Sequence, residues 1–234
     1  MNTDAYLAVV RPVNYYDGGE YIWGTGTCFF VKYQDDAYLV TAEHVLSTSS
    51  ADLSKLHVWL ENSKSCVNFN GSWRYSRVVD FREENEDLVV LRVSRRSAHY
   101  DRIMQSAIHI PRQVFIASQL NVGERIDVCG YPSATKEYDG LDVTFTDELL
   151  FRGGVYSGAT NELYKVCCSP SNHVLGGMSG SPVFLNKNGL ALLVGLLVAA
   201  SDDGRFMHFL PVEHVISLIA KVPKYSPLIS GCSE

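Results

Sequence analysis

The sequence predicts an all-β fold, a sandwich or a barrel. Apolar residues fall in short runs rich in Val, Leu, Tyr and Phe, turn residues punctuate those runs, and a single helical pattern stands near the C-terminus. Many short strands with regular turn signals are what such architectures require. The chain has 234 residues, 46% of them hydrophobic and 20% charged, enough apolar material to bury a sizeable core. All-β barrels of roughly this length commonly form one domain, so the length does not force a division into two.

In chain order, strands are expected over Ala5–Val10, Thr27–Val31, Ala37–Val40, Leu56–Leu60, Leu88–Val93, Arg125–Val128, Leu163–Cys167, Pro182–Leu185 and Leu190–Val198. Turns are expected at Asp17-Gly18-Gly19, Gln34-Asp35-Asp36, Gly153-Gly154, Asn186-Lys187-Asn188-Gly189 and Asp202-Asp203-Gly204. Val212, Val215, Ile216 and Ile219 recur at helical spacing behind Pro211, which predicts a helix over 211–220. Ser47–Ser54 reads as a surface loop, and residues 94–119 read as connecting chain. The organisation expected is an N-terminal half over 1–107, a connector over 108–119, a second half with its helix over 120–222 and a tail over 223–234.

Lys and Arg number 20 against 26 Asp and Glu, a net charge of −6. No broad positive field exists to hold a phosphate backbone, so nucleic acid is not an expected partner. Leu190–Ala200, the longest apolar run, is broken by Gly195 and too short to span a bilayer, and no membrane partner is expected. Met1–Tyr6 lacks the basic and apolar stretches of a secretory leader. The six cysteines at 28, 66, 129, 167, 168 and 232 show no dense spacing and are read as free thiols. These features give the expectation of a cytoplasmic protein.

Three segments can carry chemistry. Tyr38–Leu46 runs an apolar strand into a turn that presents His44. Asp87 directly precedes the apolar run Leu88-Val89-Val90-Leu91, where an unpaired carboxylate would be costly. Gly176–Phe184 sets Ser179 among glycines, where the N–H groups of residues 177 and 179 can converge on one point. Each segment alone has a plainer explanation: a packed histidine, the end of the acidic turn Glu83–Glu86, a Gly/Ser/Pro turn. Together they supply a nucleophile, a base and an orienting carboxylate, the three roles that acyl transfer needs. The remaining histidines include no zinc-ligand spacing, and Cys167-Cys168 is adjacent rather than C-x-x-C, so no metal is expected.

Thr41-Ala42-Glu43-His44-Val45, Asp87-Leu88-Val89-Val90-Leu91 and Gly177-Met178-Ser179-Gly180-Ser181-Pro182 resemble the histidine, aspartate and serine motifs of the chymotrypsin-like serine proteases. Gly24-Thr25-Gly26-Thr27, Val128-Cys129-Gly130-Tyr131-Pro132 and Phe209-Leu210-Pro211-Val212 are similar to segments of the disulfide-poor bacterial branch, the glutamyl endopeptidases and high-temperature-requirement proteases. The resemblance implies two six-stranded antiparallel β-barrels with the active site in the cleft between them and a C-terminal helix. It implies His44 and Asp87 from the first barrel. Ser179, with an oxyanion hole from the N–H groups of Gly177 and Ser179, would come from the second.

Met178 stands where secreted relatives carry the aspartate that pairs with a newly cleaved N-terminus, and Val45 stands where they carry a disulfide cysteine. The resemblance places the wall of the primary specificity pocket at Leu197, Val198 and Ala199 and its base near His173. A protonated His173 would favour an acidic side chain and a neutral, packed one small or apolar side chains, and the apolar Leu197 and Ala199 lean to the second. The function expected is a serine endopeptidase of protein or peptide substrates, narrow in specificity or regulated by an activating or regulating protein, with no cofactor. The alternative is a protease-fold binding or scaffolding protein, inactive or latent until a partner or ligand reshapes the loop after Gly130.

Overall fold

The computed structural model describes residues 9–16, 22–47, 56–58, 60, 66–74, 87–132, 149–160, 163–170 and 175–223. Strands β1 (Val10–Tyr16), β2 (Ile22–Tyr33), β3 (Asp36–Thr41), β4 (Leu56–His57), β5 (Phe69–Arg74), β6 (Val89–Val93) and β7 (Ile108–Ile110) form one curled sheet in the order β4-β1-β2-β3-β6-β5. β7 pairs with β2 in parallel, Val31 opposite Ile108. Two short helices interrupt this half, α1 (Glu43–Ser47) and α2 (Tyr100–Ser106).

The second half is a closed barrel. Its strands are β8 (Arg125–Gly130), β9 (Leu150–Thr160), β10 (Leu163–Cys168), β11 (Pro182–Lys187), β12 (Leu190–Ala200) and β13 (Phe206–Pro211), closing in the order β10-β13-β12-β11-β8-β9. The chain ends its described part in helix α3 (Val212–Ala220). The two halves thus give the chymotrypsin-like architecture. The second is closed, while the first is, among the described residues, a curled sheet where a six-stranded barrel was expected.

Local sequence explains the hairpins. β2 and β3 are joined by Gln34 and Asp35, with Gln34 at φ 55. β11 and β12 are joined by Asn188-Gly189, both at positive φ, the arrangement that matches the twist of the flanking strands. Gly153-Gly154, by contrast, is no turn. Both lie inside β9, and a Cβ on Gly154 would come within 2.6 Å of the Cys167 carbonyl and the Cys168 sulfur. Glycine there admits the neighbouring strand.

The connector expected over 108–119 begins with β7, which belongs to the first sheet, and continues through the bridge Val114–Leu193 to a single 3₁₀ turn at Ala117–Gln119. The expected strand at Ala5–Val10 and the tail beyond 223 lie largely or wholly outside the described residues. Two apolar cores result. One fills the closed barrel around Phe209, Leu197 and Met178. The other joins the first sheet to α3 and to the flank of the barrel.

Candidate active site

Strand pairing brings His44 and Asp87 together. β3 and β6 are antiparallel with Thr41 opposite Val89. The chain leaving β3 and the chain entering β6 therefore lie side by side, which closes the 43-residue sequence separation of His44 and Asp87. After Thr41 the chain turns through Ala42 into α1, whose second residue is His44. Asp87 receives the His44 backbone N–H on Oδ1 at 2.8 Å and faces ring Nδ1 with Oδ2 at 2.5 Å. The histidine side chain is 30% exposed and the aspartate side chain 11%. A carboxylate accepts and does not donate, so Nδ1 carries the proton and Nε2 keeps the basic lone pair.

Ser179 sits in the turn between Leu175 and β11. Met178 N–H donates to the Leu175 carbonyl at 3.0 Å, and Ser181 N–H to the Met178 carbonyl at 3.0 Å. Gly180 N–H donates to the Leu197 carbonyl on β12 at 2.8 Å. Gly177 and Gly180 have φ of 92° and 87°, left-handed conformations that favour glycine. At Gly180 the steric need is absolute: a Cβ would lie 1.9 Å from the Thr27 carbonyl oxygen. Met178 is 1% exposed and anchors the turn in the barrel core. Among the described residues, the N–H groups of Gly177 and Ser179 donate to no protein acceptor.

Gly26 on β2 is where the two halves of the site meet. A Cβ there would be 2.5 Å from a Val45 methyl carbon and 3.0 Å from the Ser179 carbonyl oxygen. The helix bearing His44 and the turn bearing Ser179 therefore pack on the same glycine. The Ser179 hydroxyl has one hydrogen-bond partner among the described residues, the Val198 carbonyl at 3.5 Å.

Of the residues expected at the specificity pocket, Leu197 lies in the closed-barrel core at 1% exposure. Val198 occupies a bulge between the β12–β13 partners Leu197 and Ala199 and is buried, while Ala199 is half-buried. His173 and the loop over 133–148 lie outside the described residues.

The five described cysteines are free, Cys28 and Cys129 buried and Cys66, Cys167 and Cys168 half-buried. Burial pushes the Cys28 and Cys129 thiols far up, so both are protonated at neutral pH. Cys66 Sγ lies 3.1 Å from His57 Nδ1, but burial raises the thiol and lowers the imidazole, which leaves that pair uncharged. Among the described residues no group of three or more His, Cys, Asp or Glu could hold a metal ion, and no helix is long and apolar enough to cross a membrane.

One residue that sequence reasoning did not single out belongs to this site. Thr27, the first residue of the expected strand Thr27–Val31 and the last of the Gly-Thr-Gly-Thr segment, is fully buried against the Ser179 turn. Its partners are far away in sequence, and no local pattern marks it.

A closed six-stranded barrel beside a curled sheet, with a His–Asp pair and a glycine-flanked serine at their junction, defines a protein with a serine-peptidase fold. The family model for the trypsin-like peptidase domain matches residues 26–196, and the chain belongs to that family. The match spans His44, Asp87 and Ser179 and supports a function of the serine-protease type. None of the curated proteins matches the chain.

Proposed function

We propose that the protein is a serine endopeptidase that cleaves peptide bonds through an acyl-enzyme, with His44, Asp87 and Ser179 as its triad. The observation that carries the reading is the double engagement of Asp87 with the His44 backbone and ring in a chain of the trypsin-like peptidase family. The Ser179 hydroxyl leaves the Val198 carbonyl and gives its proton to His44 Nε2 as Oγ bonds to the scissile carbonyl carbon. The carbonyl electron pair moves onto oxygen, and the N–H groups of Gly177 and Ser179 receive that oxyanion. Asp87 stabilises the imidazolium so formed.

On collapse the C–N bond breaks and His44 passes its proton to the departing amine. Water then attacks the ester with His44 again as base, and release of the acid returns the proton to Oγ. The steps as written use no cofactor. Leu197 faces the barrel core and is withdrawn from the pocket wall. Val198, whose carbonyl accepts the Ser179 hydroxyl, and Ala199 are apolar, in keeping with a preference for small or apolar residues before the cut, with His173 as the expected base of the pocket. Kinship with the disulfide-poor bacterial branch and a cytoplasmic setting belong to the same proposal. They rest on the Gly24–Thr27 and Val128–Pro132 segments and on the free thiols.

A fluorophosphonate probe tests the mechanism. The wild type should label, and Ser179→Ala and His44→Ala should both lose labelling. A wild type that does not label would overturn the reading and leave a protease-fold binding protein. A peptide library comparing Glu with Leu and Ala before the cut tests the pocket, and a preference for Glu would overturn the apolar assignment.

A further inference from the structure

We propose that Thr27 is a positioning residue that holds the Ser179 turn in the form able to receive an oxyanion. The role deepens, and rests on, the serine-peptidase reading. Thr27 has no exposed surface, and every polar atom it has is engaged. Its N–H donates to the Ser179 carbonyl at 2.9 Å, and its Oγ1 donates to the Gly177 carbonyl at 2.9 Å. Oγ1 also accepts the Tyr131 N–H at 2.8 Å, and the Thr27 carbonyl accepts the Thr41 hydroxyl at 2.7 Å.

The strand register explains why the backbone of Thr27 is available for this. Phe30 N–H donates to the Val9 carbonyl beside β1, so by alternation along the register Thr27 and its partner Pro12 form a non-hydrogen-bonded pair, and the Thr27 N–H and carbonyl point away from β1. The β2–β3 ladder runs from Phe29 to Tyr33, so Thr27 lies past its end. One residue of the first sheet is thus left to grip two carbonyls of the second half.

Those two carbonyls belong to the residues whose N–H groups are the proposed oxyanion donors. The Gly177–Met178 peptide is held at its oxygen by Thr27 Oγ1 and at its nitrogen by the Leu175 carbonyl. The Ser179–Gly180 peptide is held at its oxygen by Thr27 N–H and at its nitrogen by the Leu197 carbonyl. The Met178–Ser179 peptide, which carries the Ser179 N–H, lies between these two fixed peptides. The Gly176–Gly177 peptide, which carries the Gly177 N–H, adjoins the first through Gly177, which has no Cβ to oppose rotation at φ 92°. The Thr27 hydroxyl supplies the restraint that a side chain at Gly177 cannot. A valine at position 27 would keep the shape and lose both Oγ1 bonds. A serine would keep the bonds and lose only the methyl.

Thr27→Val is expected to lower kcat about a hundredfold or more, the scale seen when one oxyanion donor is lost, with KM changed less than about threefold. Thr27→Ser should recover kcat to within about tenfold of wild type, because the hydroxyl returns. Ser97→Ala is the matched control: it removes another buried hydroxyl, the acceptor of the Asn68 and His99 N–H groups, and should lower stability without touching kcat.

The second readout is amide NMR. In Thr27→Val the Gly177 and Ser179 amide signals should shift or broaden by exchange, while those of the Ser97 turn stay in place. An unchanged kcat, or an equal kcat loss in Ser97→Ala, would overturn the proposal. If the wild type neither labels nor turns over substrate, the peptidase reading fails, and the amide signals alone decide whether Thr27 holds the turn. Unmoved signals overturn it. Should Thr27→Val not fold, Thr27→Ala is read by the same two measurements.

Discussion

Asp87 meets His44 through both carboxylate oxygens, and the two contacts do different work. The bond from the backbone N–H fixes where α1 begins, and the contact with Nδ1 fixes which ring nitrogen bears the proton. Asp87→Asn keeps the size and removes the charge, and the amide can present a donor to Nδ1, which favours the wrong tautomer. We expect kcat to fall on the order of 10⁴-fold with KM little altered, read on any peptide the wild type cleaves. A loss below about tenfold would remove Asp87 from the proposed triad. The candidate residues His44, Asp87 and Ser179 can be picked out of the sequence because each stands where an apolar run meets a turn, a place where a polar side chain needs a reason. Thr27 was not legible. Its hydroxyl is satisfied by Gly177 and Tyr131, 150 and 104 residues away, and a threonine in a strand needs no explanation of its own.

Among the elements, α3 could be read from sequence because Val212, Val215 and Ile219 of its expected apolar stripe are buried; Leu218 completes the buried face, and Ile216 is only half-buried. Helix α1 has five residues, too few for a period to show, so its sequence reads as a turn. Helix α2 buries only Ile103, so no apolar stripe betrays it and its sequence reads as connecting chain. β9 was hidden by Gly153-Gly154, where glycine serves strand contact rather than a turn. The β12–β13 turn was legible from Asp202-Asp203-Gly204, and it holds a testable charge. Asp203 accepts the Ser201 hydroxyl at 2.8 Å and the Arg205 backbone N–H at 3.1 Å, and its second oxygen pairs with Arg205 Nε. The Ser201 hydroxyl foremost, then Arg205, lowers this carboxyl from 3.8 to about 2. Because the folded value lies below the unfolded one, the turn's contribution is complete above about pH 4 and is lost as pH falls through about 2. A carbon-detected NMR titration should put the Asp203 midpoint near 2 and move it upward in Ser201→Ala. A wild-type midpoint at 3.8 would overturn the assignment.

At the scale of the whole molecule, the seam decides how the protein unfolds. The core of the first sheet does not stop at its edge. It takes in Cys129, Phe184, Leu193, Leu196 and Leu210 from the barrel strands, Tyr131 just past β8, and Val212, Val215, Leu218 and Ile219 from α3. The C-terminal helix, last in sequence, thereby covers the half that comes first, and Arg92 of β6 donates to the Pro223 carbonyl just beyond it at 2.9 Å. At roughly 1.5–3 kcal/mol for each fully buried apolar side chain, the four helix residues alone represent about 6–12 kcal/mol. That is comparable with the 5–15 kcal/mol net stability typical of a domain. Parting the halves would expose these residues, so neither half should persist without the other, and unfolding should be a single transition. The three tryptophans, Trp23, Trp59 and Trp73, all lie in the first half, whereas backbone circular dichroism reports on both. In urea the fluorescence and circular-dichroism midpoints should therefore coincide. A separation of more than about 0.5 M would mean that the seam is weaker than its buried residues require and that the halves unfold independently.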